Sequence, residues 1–205
     1  MLIEPRLAEF LARYPQLKLE LFTDDALSDV VAGGFDAGIR IGHVLAKDMI
    51  ALPVDAGHRR LVVATPDYLR RFGVPRTPAD LAAHDCIRFR FPGSGRLSTW
   101  QFVDDNGLRE LEVEGRLIFA DDRLTRVATR AGLGVSQQFE PMVIDDLARG
   151  TLVCVLEAWT PPLPGFYIYY PARRLMPPKL RVFIDFLREP LLPGANSTNG
   201  ANAPA

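Results

Sequence analysis

Ser94, in PGSGR, is the only serine flanked by glycines. A nucleophile there would have to rise from a strand–turn–helix elbow beside a base, and its neighbours form no such elbow. His43, His58 and His84 fall in three separate loops, with no HxH or HxxxH pair and no acids at metal-ligand spacing. Asp24-Asp25, Asp121-Asp122 and Asp145-Asp146 each lie at or near a predicted helix, where first-turn carboxylates favour the macrodipole, so capping explains them without acid–base work. Cys86 and Cys154 sit in the apolar runs CIRFRF and TLVCVL without CxxC spacing and read as buried thiols. Neither GxGxxG nor GxxxxGK[ST] occurs, and GLGV at 132–135 is a helix stop turning into a strand. These patterns point to no catalytic set, no metal and no cofactor.

The stretch GGFDAGIRIG, 33–42, places a carboxylate and a guanidinium inside an otherwise apolar strand. Alternation sets Phe35, Ala37, Ile39 and Ile41 on one face and Asp36, Gly38, Arg40 and Gly42 on the other. Arg40 thus projects among small neighbours, where it could grip an anion bidentately. It could equally pair with a carboxylate on an adjacent element or run its stem over apolar surface. Asp36, four residues along the strand, stands about 13 Å away and is not that partner.

The chain has 205 residues, 48% hydrophobic and 24% charged, enough for one large core or two small ones. A net charge of −1, from 24 basic and 25 acidic residues with no dense Lys/Arg run, carries no nucleic-acid footprint. No apolar stretch has the length of a membrane span, and the acidic start MLIEPRLAEF is unlike a signal peptide, so a cytoplasmic protein is expected. Asn196-Ser197-Thr198 therefore carries no glycosylation meaning.

RLAEFLARYP predicts an amphipathic helix with Leu7, Phe10, Leu11 and Tyr14 on one face. LKLELFT alternates as a strand, ALSDVVAGG is a short helix closed by glycines, and AGIRI, MIALPV and RRLVVAT are further strands. Proline-started helices follow at Pro66 and Pro78, with Gly73 ending the first. Asn106-Gly107 between alternating runs predicts a hairpin. Asp121 or Asp122 caps a helix whose face is Leu124, Val127, Ala128 and Ala131, ended by Gly132. GFYIYYP is a last strand, and Leu180, Phe183, Ile184 and Leu187 mark a last helix before a polar tail, 190–205, expected to be disordered. Strands alternating with helices predict an α/β fold with parallel sheets covered on both sides. Texture changes near Thr65 and Pro164 predict two lobes, 1–64 with 165–189 and 65–164.

Four separated stretches, GGFDAGIRIGHVLAKDMIALPV, RLVVATPDYLRRFGVPRTPADLAAHDCIRFR, FADDRLTRVATRAGLGV and DDLARGTLVCVLEAWTPPLPGFYIYYPARR, together resemble the effector-binding domain of LysR-type transcriptional regulators, over residues 1 to about 188. The resemblance implies two Rossmann-like lobes joined by crossover strands, similar to type II periplasmic binding proteins, with a small-molecule effector in the cleft. It implies a homodimer or tetramer, and DNA contact only through an N-terminal helix-turn-helix that this chain does not contain. The family also opens this domain with a GxLRV-type strand and a Ser/Thr loop, whereas Met1 begins at the first helix. That strand is interior in the family's sheet. Its loss would leave on the order of ten ladder groups unpaired, at about 1–3 kcal/mol each if they stay dry, so the chain is expected to be a piece of a longer regulator.

Carried over residue by residue, the family's cleft falls on Gly42 and His43, Thr65 at the first crossover, Ser98 and Thr99 in LSTW, the cap around Asp121, and Ser136 and Gln137 after GLGV; strand alternation adds Arg40 as a candidate beside them. Hydroxyls and helix-terminal N–H groups there suit a carboxylate or phenol effector. SQQF replaces a commoner apolar-then-proline pattern. A transporter's solute-binding protein shares the fold but should carry a secretory signal. An enzyme of small acidic substrates would need a convergent set of reactive groups, which is not found.

Overall fold

The computed structural model describes residues 2–22, 33–42, 48–172 and 176–189. The chain divides into two compact units, unit 1 from the described residues up to 22, 33–56 and from 165 on, and unit 2 from 57–164. The expected lobe boundary at Thr65 is therefore corrected to follow Ala56. The strand ending at Ala64 is bonded throughout to unit 2 neighbours, and those pairings fix its membership.

Unit 1 contains α1 (Leu7–Arg13), β1 (Gly38–Ile41), β2 (Met49–Pro53), β11 (Phe166–Pro171) and α5 (Pro178–Arg188), with the sheet ordered β1-β11-β2. Both pairings are antiparallel. Its core joins Phe10 of α1, Ile168 and Tyr170 of β11, and Leu180, Ile184, Phe186 and Leu187 of α5. Phe186, absent from the expected helical face, is 1% exposed. Arg6 is also buried: its guanidinium donates to the carbonyls of Leu187 (3.2 Å) and Glu189 (2.9 Å) and lies 4.1 Å from the Phe186 ring centroid. It thereby satisfies carbonyls that the end of α5 leaves open.

The strand expected at LKLELFT is not formed as a ladder over Leu17–Phe22. Its alternation survives, since Leu17 and Leu19 pack on the unit 1 core while Lys18 and Glu20 face solvent, but none of the described strands bonds to it. A strand needs a neighbour's N–H and C=O groups, which side-chain pattern alone does not supply. The helix expected over 26–34 falls largely outside the described residues, as does the tail.

Unit 2 contains β3 (His58–Ala64), α2 (Pro66–Phe72), β4 (Cys86–Phe89), β5 (Trp100–Asp104), β6 (Gly107–Leu111), β7 (Ile118–Phe119), α3 (Asp122–Arg130), β8 (Val135–Phe139), α4 (Glu140–Ala148), β9 (Val153–Val155) and β10 (Pro162–Leu163). The sheet runs β10-β3-β8-β4-β7, with β9 also on β3. Only β8-β4-β7 is parallel, which corrects the expectation of parallel sheets: β3 runs against β8, β9 and β10. The apolar run Leu61–Ala64 suits a strand covered on both faces. Val62 and Ala64 join the cluster of Tyr68, Leu81 and Trp100, while Leu61 and Val63 join Val143 and Leu152.

Local chemistry sets the remaining elements. Thr65 caps α2 by accepting from the Tyr68 N–H (3.2 Å), Pro66 opens that helix, and Gly73 at φ +90° ends it. Thr77 and Asp80 form a capping box on the 3-10 turn begun by Pro78. Gly107 at φ +103° turns the β5–β6 hairpin. The expected inner face of α3 holds only at Ala128: it is buried with Thr125 and Thr129, whereas Leu124 and Val127 are 51% and 62% exposed and Ala131 is exposed. Thr129 is tolerated inside because its hydroxyl bonds the Thr125 carbonyl (2.7 Å) and Ser136 Oγ (2.7 Å).

Candidate functional site

In unit 1 the two charges of GGFDAGIRIG are both engaged. Asp36 pairs with Lys179 of α5 at 2.7 Å. Arg40 Nε donates to the Tyr169 hydroxyl at 3.0 Å, with the guanidinium 5.9 Å from that ring's centroid. Gly38 lies directly opposite Tyr169, and a Cβ there would stand 2.3 Å from both Tyr169 Cζ and Oη. The absence of a side chain at 38 is what lets the ring lie flat and reach Arg40. Gly42, at φ +74°, donates its N–H to the Gly165 carbonyl at 3.0 Å. His43 lies outside the described residues.

In unit 2 the strand directions place the carboxyl ends of β4, β7 and β8 and the start of β3 at one end of the sheet. Ser98, Thr99, Asp121 and Arg60 gather at that end. Ser98 donates its N–H to Phe89 O (2.8 Å) and its hydroxyl to Thr99 O (3.2 Å), and Thr99 Oγ1 donates to Glu110 (3.0 Å). Asp121 is occupied as a helix cap, accepting from the N–H groups of Arg123 (2.6 Å) and Leu124 (3.3 Å).

Thr65 is not in this group. It follows the far end of β3, five residues beyond Arg60 and so about 17 Å away along a strand, and it is buried beneath its own helix cap. The crossover assignment failed because β3 enters the sheet at His58, not at its last residue. Ser136 and Gln137 are also parted, since successive strand residues face opposite sides. Ser136 is fully buried among Thr129 and Gln138 Nε2 (2.7 Å), while Gln137 Nε2 ties β8 to the Gln101 carbonyl (3.2 Å).

Two guanidiniums not singled out from the sequence, Arg60 and Arg88, lie on strands at this end of the sheet. Arg60 is half-buried with its guanidinium 4.3 Å from the Phe139 ring centroid, and among the described residues no carboxylate forms an ion pair with it. Burial lowers its pKa, against an opposing pull from Asp122. Burial raises the Asp122 carboxyl, an effect Arg60 reduces. Arg59, one residue earlier, is instead saturated by Glu140 (2.7 Å) and Glu157 (3.0 Å). Arg88 donates to Glu114 (2.9 Å) but leaves Nε buried without a partner. It borders a cavity of about 280 Å³ shared with Arg96, Ser98, Thr99 and Glu112. Both arginines were legible by the signal that picked out Arg40, a guanidinium inside an apolar strand run.

These groups can hold and orient an anion or a hydroxyl-bearing molecule. Burial pushes the Cys86 thiol up to about 12 and the Cys154 thiol up to about 11, so both stay protonated near neutrality. Among the described residues no group of three His, Cys, Asp or Glu is placed to hold a metal ion.

Two α/β units, one with strand-borne guanidiniums and hydroxyls at the carboxyl end of its sheet, define a ligand-binding module of the type II periplasmic-binding-protein kind. The chain belongs to the LysR substrate-binding domain family, which it matches over residues 1–191. It is 41% identical over 182 residues to YcaN, an uncharacterised HTH-type transcriptional regulator of Escherichia coli (strain K12), covering 89% of this chain and 59% of that protein. The structure of CrgA, a LysR-type transcriptional regulator from Neisseria meningitidis, superposes with a TM-score of 0.79 at 28% identity, over 91% of this chain and 63% of that one. The CrgA regulatory domain alone gives a TM-score of 0.76 at 26% identity, over 91% and 90%. The chain thus spans less than two thirds of the curated relatives it matches.

Proposed function

We propose that this chain is the effector-sensing and dimerisation part of a cytoplasmic bacterial LysR-type regulator, and that it performs no chemistry of its own. An effector held at the carboxyl end of the unit 2 sheet biases DNA binding by a helix-turn-helix region of the longer protein. What supports this reading is the family match across 1–191, together with a half-buried Arg60 that forms no ion pair among the described residues and a cavity that Ser98 and Thr99 share with the unmet Nε of Arg88 at the same end of the sheet. A carboxylate or phenol is the effector class that complements a cation and hydroxyl donors. No described helix is long and apolar enough to cross a membrane.

Leu11 of α1 and Leu124 and Val127 of α3 are exposed apolar positions, and a second copy covering them accounts for their side chains. The test uses a version carrying the DNA-binding region. Replacing Ser98 and Thr99 together with alanine should weaken effector response roughly tenfold, about 1.4 kcal/mol, with operator affinity unchanged. An unaltered response removes both residues from the site.

A further inference from the structure

At the other end of the unit 2 sheet, beside Thr65, a cavity of about 500 Å³ opens between α2, the turn 82–85 and the segments around Gly115 and Leu133. That volume suits a small organic ligand. One wall is a row of rings: Phe72 and Tyr68 have centroids 4.7 Å apart, and Tyr68 and His84 5.8 Å. Phe72 and Leu133 remain 52% and 49% exposed, so the cavity presents apolar surface that nothing described covers.

Donors accompany that surface. His84 is 9% exposed and its Nδ1 is buried without a partner. A proton on Nδ1 would be a buried, unmet N–H, so the neutral ring carries it on Nε2, and His84 is one of the residues that line the cavity. The Tyr68 hydroxyl accepts from the Asp85 N–H (3.0 Å) and keeps its own proton to give. Arg71 extends with its guanidinium 5.1 Å from the Phe72 ring centroid and, among the described residues, meets no carboxylate. The acids bordering the cavity are committed elsewhere: Asp85 takes the backbone N–H and guanidinium of Arg116, and Glu114 takes Arg88. One positive charge, two neutral donors and an aromatic wall are left over.

We propose that this cavity is a second ligand site, separate from the Ser98 end, that takes a small aromatic carboxylate, its ring against Phe72 and Leu133 and its carboxylate on Arg71, His84 Nε2 and Tyr68 Oη. The site lies wholly within unit 2 and needs no partner copy.

The test is a titration of the full chain with benzoate, followed by imidazole nitrogen NMR. The sequence has three histidines, so the signals of His43, His58 and His84 are separable. A saturable shift confined to His84, with half-saturation below about 10 mM, is expected. It should weaken roughly tenfold in Arg71→Gln, be absent with benzyl alcohol, and persist in the Ser98→Ala, Thr99→Ala double variant. Arg71 is exposed, so its replacement leaves the fold intact. No His84 shift, an equal shift with benzyl alcohol, or unchanged affinity in Arg71→Gln overturns the proposal. Loss of the shift in the Ser98→Ala, Thr99→Ala variant would assign benzoate to the other end and overturn it as well.

Discussion

Replacing Gly38 with alanine tests whether the Arg40 side of β1 is organised by the Tyr169 ring. The new methyl would lie 2.3 Å from Cζ and Oη and 2.8 Å from Cε1 of that ring. Carbon contacts settle near 3.5–4.0 Å, so the ring must retreat by more than about 1 Å. Overpacking of this kind costs about 1–3 kcal/mol. The retreat also stretches the 3.0 Å bond to Arg40 Nε beyond bonding range. For this half-exposed pair that bond contributes about 1 kcal/mol, below the range for buried charged groups. The expected loss is about 2–4 kcal/mol, a fall in unit 1 melting on the order of 10–20 °C. Trp100 and Trp159 both lie in unit 2, whereas Tyr14, Tyr167, Tyr169 and Tyr170 lie in unit 1. Tyrosine-weighted near-UV dichroism therefore follows the damaged unit, with tryptophan fluorescence as the internal control. Tyr169→Phe alone should cost only about 1 kcal/mol, and Gly38→Ala in a Tyr169→Ala background should cost almost nothing, since no left-handed backbone is required at 38. A Gly38→Ala cost that is negligible, or the same with and without the ring, refutes the reasoning.

Asp146, whose side chain is fully buried, accepts from Arg126 (2.9 Å) and Thr151 Oγ1 (2.9 Å) and faces Arg130 at 3.4 Å. Asp146→Ala should cost about 2–3 kcal/mol, less than a fully buried pair because both arginines reach water, read as a lower urea midpoint by tryptophan fluorescence. Burial alone would raise the Asp146 pKa, but Thr151 and the two arginines outweigh it and the net shift is downward. Its contribution is therefore complete above the ordinary carboxylate pKa and fades as pH falls through the lowered folded value, so the variant should lose less stability than the parent below about pH 4. Leu124→Glu with Val127→Glu should shift the sedimentation of this chain towards monomer while leaving its melting within about 0.5 kcal/mol of the parent; unchanged association would place the contact elsewhere.

Capping and turn chemistry made much of unit 2 readable in advance. Pro66, Gly73, Pro78, Asn106-Gly107 and Asp121 each act within a few residues and need no knowledge of distant contacts. What failed depended on neighbours. Leu17–Phe22 has the alternation of a strand but no partner among those described. Helix α3 turns its threonines inward and its Leu124 and Val127 outward, because Ser136 and Gln138 of β8 offer hydroxyl and amide partners beneath it. Apolar periodicity placed Leu124 and Val127 inside with Ala128, but only Ala128 of the three is buried. Thr65 and Ser136 were misplaced for a simpler reason: strand direction and the two-residue repeat decide which end and which face a residue occupies, and a resemblance in sequence order records neither.

Arg40, Arg88 and Arg60, each on a strand, separate by what the fold supplies to them. Arg40 finds a phenol, and a glycine at 38 makes room for that arrangement. Arg88 finds Glu114 with its outer nitrogen and leaves Nε unmet beside the Ser98 cavity. Arg60 finds an aromatic face and the Asp122 carboxylate at the start of α3, whose pKa burial raises. A guanidinium retained mainly for stability gains most from a close carboxylate, as Arg59 does with Glu140, because an unpaired charge near the interior is costly. An unmet Nε on Arg88 and an Arg60 without an ion pair among the described residues, at one end of one sheet, are groups that a bound anion would complete. If so, effector binding should raise the melting of unit 2 in proportion to the logarithm of ligand concentration, and Arg60→Met should abolish that dependence while leaving the ligand-free protein at least as stable as the parent.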